Sequence, residues 1–413
     1  MTKTLCSISL GIGLMIASAP QAGLSQAQAQ RGQQPQRGQT QPPAPPAQPP
    51  AAAAPRATTP YVPPKTPWGE PDLQGMWPLD HLISTNLERS PQYGERRFLT
   101  DAEYAQAQQR AATRIQQQKD ATVPTSDGGP ASKLTSLISD PPDGRFPALT
   151  PKGTEMLNKL YGSYKPRNVE VTATDGSKRS IPIFDNLNDF DTWDRCITRG
   201  LPVSMLTRNY NVGIRVMQSP GYVIILLEMA HEARIIPTDG RPNLDPTIKQ
   251  YLGESRGRWE GNTLVIETLN FNGKPAMTNR GIPGSPAEGL NPESESLRIV
   301  ERLTRTSPTT IDYKMTIDDP VVLTRPWSVE FPWELHPDYG FYEYACHEGN
   351  TAVRNYIETS RFERANPIAP AAGGRGGAGG GGARGGAGGG GARGGGQGGG
   401  AGARGGGGQP PQQ

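Results

Sequence analysis

The spacing of apolar residues changes near Ile183, and that change divides the chain into two kinds of element. Upstream, apolar positions recur every three or four residues. Thr100 with Glu103 three places later reads as a helix start, and the predicted helix runs through Ala105, Ala107 and Ala111 to about Lys119, with Gln-rich faces that bury little. A second helix is predicted from Thr150 and Pro151, an N-cap and first-turn proline in the favoured order, with Met156, Leu157, Leu160 and Tyr161 at helical spacing. Residues 120–149 between them, rich in Pro, Gly and Ser, read as a loop. Ahead of both, Thr66-Pro67-Trp68-Gly69 to Gly75-Met76-Trp77 reads as a loop strapped over an apolar surface.

Downstream the period becomes that of strands. Residues 213–218, 222–236, 254–260, 263–271, 297–304, 310–317, 327–335 and 341–346 are each rich in β-branched or aromatic residues and bounded by turn formers. Consecutive short strands predict an antiparallel sheet, with hairpins at Glu260-Gly261-Asn262 and Ser307-Pro308. About eight strands is where such a meander closes, so the expected fold is mainly β: a lipocalin-like antiparallel barrel with a few covering helices and disordered ends. Val223 to Leu227 is apolar on both faces and needs outer cover, for which the early helices are available. Arg298, Glu301 and Arg305 interleave with Ile299 and Val300 and predict a wet face. A terminal helix from Asn350 to about Arg364 would close one end.

Composition bounds the folded part. Residues 1–29 have the form of an export signal: Lys3, an apolar stretch from Leu5 to Ala19, and Ala27-Gln28-Ala29 as the cleavage site. The expected location is therefore extracytoplasmic, the periplasm or beyond. Residues 30–64 form a Pro/Gln/Ala-rich disordered linker of polyproline character, and residues 367–413 a Gly/Arg-rich disordered tail. Residues 65–366 hold all the tryptophans and make one predicted barrel-like domain.

The charge balance reverses once the ends are set aside. The whole chain is formally +3, but the ends carry eight of its 42 basic residues and none of its 39 acidic ones, so the folded part is −5. A binder of nucleic acid needs clustered Lys and Arg to displace counterions from phosphates, so no nucleic-acid partner is expected. After the export signal no apolar stretch approaches the roughly 20 residues that span a bilayer, so no transmembrane segment is expected.

Loss of Cys6 with the export signal leaves Cys196 and Cys346, which can pair in an oxidising compartment and would stabilise by about 4 kcal/mol. Beside Cys346 lies the densest chemistry in the chain, Tyr342 to Asn350. Strand alternation places Glu343 and His347 on one face, opposite Tyr342, Tyr344 and Cys346. Glu343 and His347 are the candidate catalytic pair, acting as acid and base if they face a lumen; the alternative is a mutual hydrogen bond at a strand edge. Glu228, His231 and Arg234 follow a buried apolar run, and with Tyr342, Tyr344 and Glu348 they complete a candidate ligand pocket. Regular alternation would group Glu228, Glu232 and Arg234, with His231 opposite, unless a bulge intervenes.

No two histidines stand at zinc-motif spacing, so no metal or other cofactor is expected. Asp185, Asp189, Asp191 and Asp194 lack the glycine turn and terminal Glu of a calcium loop and read as a capped, solvated loop. No nucleophile elbow, phosphate loop or dinucleotide fingerprint appears in the folded segment.

The opening Thr66-Pro67-Trp68-Gly69-Glu70-Pro71-Asp72-Leu73-Gln74-Gly75-Met76-Trp77, the segment Gly257 to Val265 and the ending Tyr342 to Asn350 resemble a widespread group of exported bacterial hypothetical proteins. The resemblance covers nearly all of residues 60–365 and implies export and a single domain. It implies no activity and no catalytic residue.

The leading expectation is an exported barrel that holds a small organic molecule in its mouth. A lyase or hydrolase acting on a sugar or phenolic compound in the same pocket is the alternative, with Glu343 or His347 as base and Arg234 steadying negative charge. A surface interaction protein working through its unfolded ends is the third.

Overall fold

The computed structural model describes residues 61–119, 130–208, 210–274, 277–278 and 290–367. The predicted export signal, nearly all of the linker and nearly all of the tail lie outside the described residues. In chain order the strands are β1 (Gly75–Met76), β2 (Ile138–Asp140), β3 (Asn168–Thr172), β4 (Lys178–Pro182), β5 (Ile214–Ser219), β6 (Tyr222–Leu227), β7 (Ala233–Pro237), β8 (Glu254–Glu260), β9 (Thr263–Leu269), β10 (Met277–Thr278), β11 (Leu290–Asn291), β12 (Arg298–Ser307), β13 (Thr310–Asp318) and β14 (Trp327–Glu334). The helices are α1 (Asp101–Lys119), α2 (Pro151–Lys159) and α3 (Ala352–Ala365).

Antiparallel pairing builds a six-stranded sheet in the order β2-β14-β13-β12-β9-β8 and a four-stranded sheet in the order β1-β5-β6-β7. Neither sheet closes on itself, so the meander is present but not the expected single closed ladder. The two predicted hairpins are formed, with Trp259 opposite Leu264 and Leu303 opposite Tyr313. Between the sheets the interior is filled rather than hollow: Trp77, Tyr313, Trp327 and Trp333 are completely buried, and Tyr313 stacks on Trp333 at 4.6 Å between ring centroids. Rings of this size each remove 150–250 Å² from water and dominate the core.

The predicted wet face of β12 is corrected by a shift in which residues point inward. Ile299, Glu301, Leu303 and Arg305 alternate into the core, while Arg298 and Arg302 face solvent and pair with Glu267 and Glu260. The long strand predicted over 222–236 is broken into β6 and β7. Ala230 and His231 adopt left-handed backbone there, at φ 58° and 42°, which ends one strand and turns the chain into the next.

Residues 341–346 are not a strand but an irregular crossing segment, so the alternation argued for them does not hold. The early helices do not cover β6 either. The approach to α1 is tied to β14 by Arg97, whose Nη1 donates to Glu330 at 3.1 Å, and α2 starts against Val322, whose carbonyl accepts from Thr150 N–H at 2.9 Å. The outer face of β6 is instead half-buried among cross-strand apolar neighbours, Ile224 lying opposite Met217 on β5 and Ile235 on β7.

Helix starts follow their sequence signals. Thr100 and Glu103 exchange the reciprocal capping bonds, and Thr150 Oγ1 accepts from Gly153 N–H at 2.9 Å. The β3-β4 hairpin was not anticipated, although Asp175-Gly176 is a turn signature in its loop. Its importance is positional. Ser360 of α3 donates to the Pro182 carbonyl at 2.6 Å and accepts from Phe184 N–H at 3.0 Å, which docks α3 on the end of β4.

Candidate functional site

A cleft of about 590 Å³ opens where three segments converge: the turn after α2, the 191–196 turn, and the irregular chain that leads from residue 343 into α3. Trp193, Tyr164, Tyr344 and Tyr356 give it aromatic surface, and Asp194, Asn211 and Glu343 give it polar groups. The predicted disulfide is formed between Cys196 and Cys346, with 5.7 Å between Cα atoms, and both half-cystines are part of the wall.

Short-range sequence explains how the 191–196 turn holds its shape. Asp191 and Asp194 cap each other's backbone: Asp194 N–H donates to Asp191 Oδ1 at 2.8 Å and Asp191 N–H to Asp194 Oδ2 at 3.3 Å. Asp194 also takes Ser163 from across the cleft, the hydroxyl at 2.6 Å and the N–H at 2.9 Å. Asp191 is buried, and its Oδ2 has no hydrogen-bond donor. Burial first, and the Asp194 carboxylate second, push its carboxyl up to about 6. The expected solvated acidic loop is therefore a partly buried carboxylate pair. Sequence spacing showed the acids, but their burial depends on the distant Gly162-Ser163 turn.

Behind the cleft lie two buried arginines. Arg199 sits 4.7 Å from the Trp193 ring centroid, a cation–π contact, and burial lowers its affinity for the proton. Arg208 is brought down to about 9 by burial and by Arg199, and its Nη2 donates to the carbonyls of Val203 and Ser204. Tyr344 lies over Tyr210, with centroids 6.5 Å apart; burial, then Tyr210, raise its phenol above the usual tyrosine range.

The crossing segment is pinned at successive points. Tyr342 N–H donates to Glu228 Oε1 at 3.1 Å, His231 Nδ1 donates to the Tyr344 carbonyl at 3.0 Å, and Cys346 is held by the disulfide. Of the predicted pocket residues, Glu343 and Tyr344 line the cleft. Tyr342, His347 and Glu348 are exposed and do not. Glu343 and His347 are thus not brought together as a pair on one strand face, because the chain turns at 347–350 instead of remaining extended.

The other predicted pocket residues serve the framework. Glu228 is completely buried and saturated: Asn211 Nδ2 and Tyr342 N–H donate to Oε1, Gly213 N–H and Tyr339 O–H to Oε2, all within 2.8–3.1 Å. Any side chain at Gly213 would collide with it, since a Cβ there would stand 2.8 Å from Glu228 Oε2. Glu232 accepts from Thr198, Ser204 and the Arg199 N–H, while Arg234 enters the core. The break at Ala230 and His231 sends Glu228, Glu232 and Arg234 into three separate networks, against the grouping that regular alternation predicts. Among the described residues, no three His, Cys, Asp or Glu side chains gather as a metal-binding group.

No helix of the described residues is long and apolar enough to cross a membrane. Comparison of the chain with family models, curated proteins and solved structures finds no match, so the functional reading rests on the side chains of the cleft.

Proposed function

We propose that this protein is an extracytoplasmic binder of a small organic molecule, held in the cleft beside Trp193 rather than in the lumen of a lipocalin-like barrel. The observation that carries the reading is the cleft itself: about 590 Å³ of concave surface walled by aromatic rings and a few polar groups, within the 300–1,000 Å³ typical of ligand sites. The packed interior supports the change of place, because Trp77, Tyr313, Trp327 and Trp333 occupy the space between the sheets. The intramolecular disulfide agrees with an oxidising compartment.

The test is equilibrium dialysis of the full chain against culture extract, with mass spectrometry of what is retained. Retention by the wild type and at least a tenfold loss in Tyr344→Ala supports the cleft; equal retention by Tyr344→Ala removes it.

A hydrolase or lyase in the same cleft is the second reading, and Asp191 with Asp194 favours it more than Glu343 with His347 does. Asp191 lies buried against Asp194 and its carboxyl is raised to about 6, a perturbed acid of the kind that acid–base chemistry draws on. Turnover that survives Asp194→Asn would discard it.

A further inference from the structure

We infer that a second pocket, between α1 and the chain ahead of β2, binds a tetrahedral oxyanion: a phosphate or sulfate group, carried as the free ion or as the ester of a small molecule. Backbone pairing builds this pocket. Leu99 N–H donates to the Lys133 carbonyl at 2.8 Å and Thr135 N–H to the Arg97 carbonyl at 3.0 Å, which lays the approach to α1 along residues 133–135. Leu137 N–H donates to the Asn86 carbonyl at 2.8 Å and brings the 84–86 loop to the same place, while the buried Ala111 seats α1. The space these segments leave is about 240 Å³, smaller than the sites that take whole organic ligands and suited to an ion or a headgroup.

The guanidiniums decide the sign of the charge. Arg110 and Arg114 both line the pocket, and among the described residues of its wall there is no Asp or Glu. Four residues apart, they share a helix face and repel each other. Their own helix offers no relief, since Tyr104 to Lys119 contains no acidic residue. The acids around the pocket act on other cations: Glu103 forks onto Arg96, Asp101 takes Lys133, Glu330 takes Arg97, and Asp143 and Glu95 act through space on the buried Arg89. Arg89 adds a further positive charge behind the wall, its Nε donating to Thr135 Oγ1 at 3.0 Å. Arg114 is half-buried, and burial weakens its hold on its proton; an anion in contact would stabilise a guanidinium so stripped of water.

The arrangement of the wall decides the shape. Thr135 is committed, its hydroxyl donating to the Arg96 and Arg97 carbonyls, but Ser84 and Asn86 on the loop and Tyr93 and Ser132 on the other walls bring hydroxyl and amide groups from sides that α1 does not occupy. Hydroxyls and amides donate as readily as they accept, so they follow the charge that the arginines set. A planar carboxylate fills one guanidinium fork with its two oxygens, whereas phosphate and sulfate present oxygens in every direction and can meet both forks and the neutral donors together.

The experiment is calorimetric titration of the full chain at low salt with sulfate, inorganic phosphate, glycerol 3-phosphate and acetate. At least one of the first three should bind about tenfold tighter than acetate; an ester tighter than both inorganic ions identifies a headgroup site, and the reverse a site for the free ion. Arg110→Gln, at an exposed position, should weaken the best probe about tenfold, while Arg258→Gln, which removes the same charge from exposed β8 at the far edge of the six-stranded sheet, should leave it unchanged. Acetate binding as tightly as the best tetrahedral probe overturns the ligand class. Equal affinities in the wild type and Arg110→Gln, or equal losses in Arg110→Gln and Arg258→Gln, overturn the site, as does failure of all three tetrahedral probes to bind at about 10 mM.

Discussion

Arg234 on β7 crosses the core to Glu301 on β12, its Nη1 donating to Oε1 at 3.0 Å and its Nη2 to Oε2, with both side chains almost wholly out of water. Tyr313 O–H adds a third bond to Glu301 at 2.7 Å. The pair therefore couples the four-stranded sheet to the six-stranded one. Removing one partner strands a buried charge, so Arg234→Met should cost about 3–5 kcal/mol. The double change Arg234→Met with Glu301→Leu should recover most of that. Urea midpoints of the two single variants and the double decide it, and a double variant no better than the singles would refute a paired role.

Glu228 works as a four-way acceptor between the end of β6 and the crossing segment. Glu228→Gln turns one acceptor oxygen into a donor facing donors and should lower stability by about 2–3 kcal/mol. Hydrogen exchange is the sharper readout: amides of residues 339–346 should lose protection well before those of β12 and β13.

The Cys196–Cys346 bond spans 150 residues of chain. Replacing both with Ser should cost about 4–5 kcal/mol by chain entropy, and should loosen the 341–351 segment more than the sheets. Chemical denaturation with segment-resolved exchange tests both parts; uniform loosening would mean that the bond does not act locally.

Asp191 gives a pH dependence with a defined sign. Its carboxyl is raised to about 6 from an ordinary 3.8, so folding favours the protonated form. Its contribution is fully present below about pH 4 and is lost as pH rises through 6. Relative to wild type, Asp191→Asn should gain on the order of 2–3 kcal/mol of stability between pH 4 and pH 7, and little below pH 4. A difference that does not change with pH would place the group elsewhere.

How far the sequence foretold this molecule depended on the range of the interaction involved. The caps at Thr100 and Thr150 and the turns at Gly261 and Pro308 act within a few residues, and they were legible. Alternation failed where the backbone leaves the extended region: Ala230 and His231 turn left-handed, and neither residue type advertises it. The inward ion pair of Arg234 with Glu301 was unreadable because Arg234 read as a pocket residue and Glu301 as part of a wet face until the two, 67 residues apart, were placed together. The cleft was half visible. Glu343, Tyr344 and Cys346 stood out as a local cluster with Cys196 as its bonding partner, whereas Tyr164, Trp193 and Asn211 join them by folding alone.

Because the two half-cystines are themselves part of the cleft wall, a newly made chain in a reducing environment would have its sheets yet lack the finished cleft. The cleft would take its final shape only where oxidants close the bond.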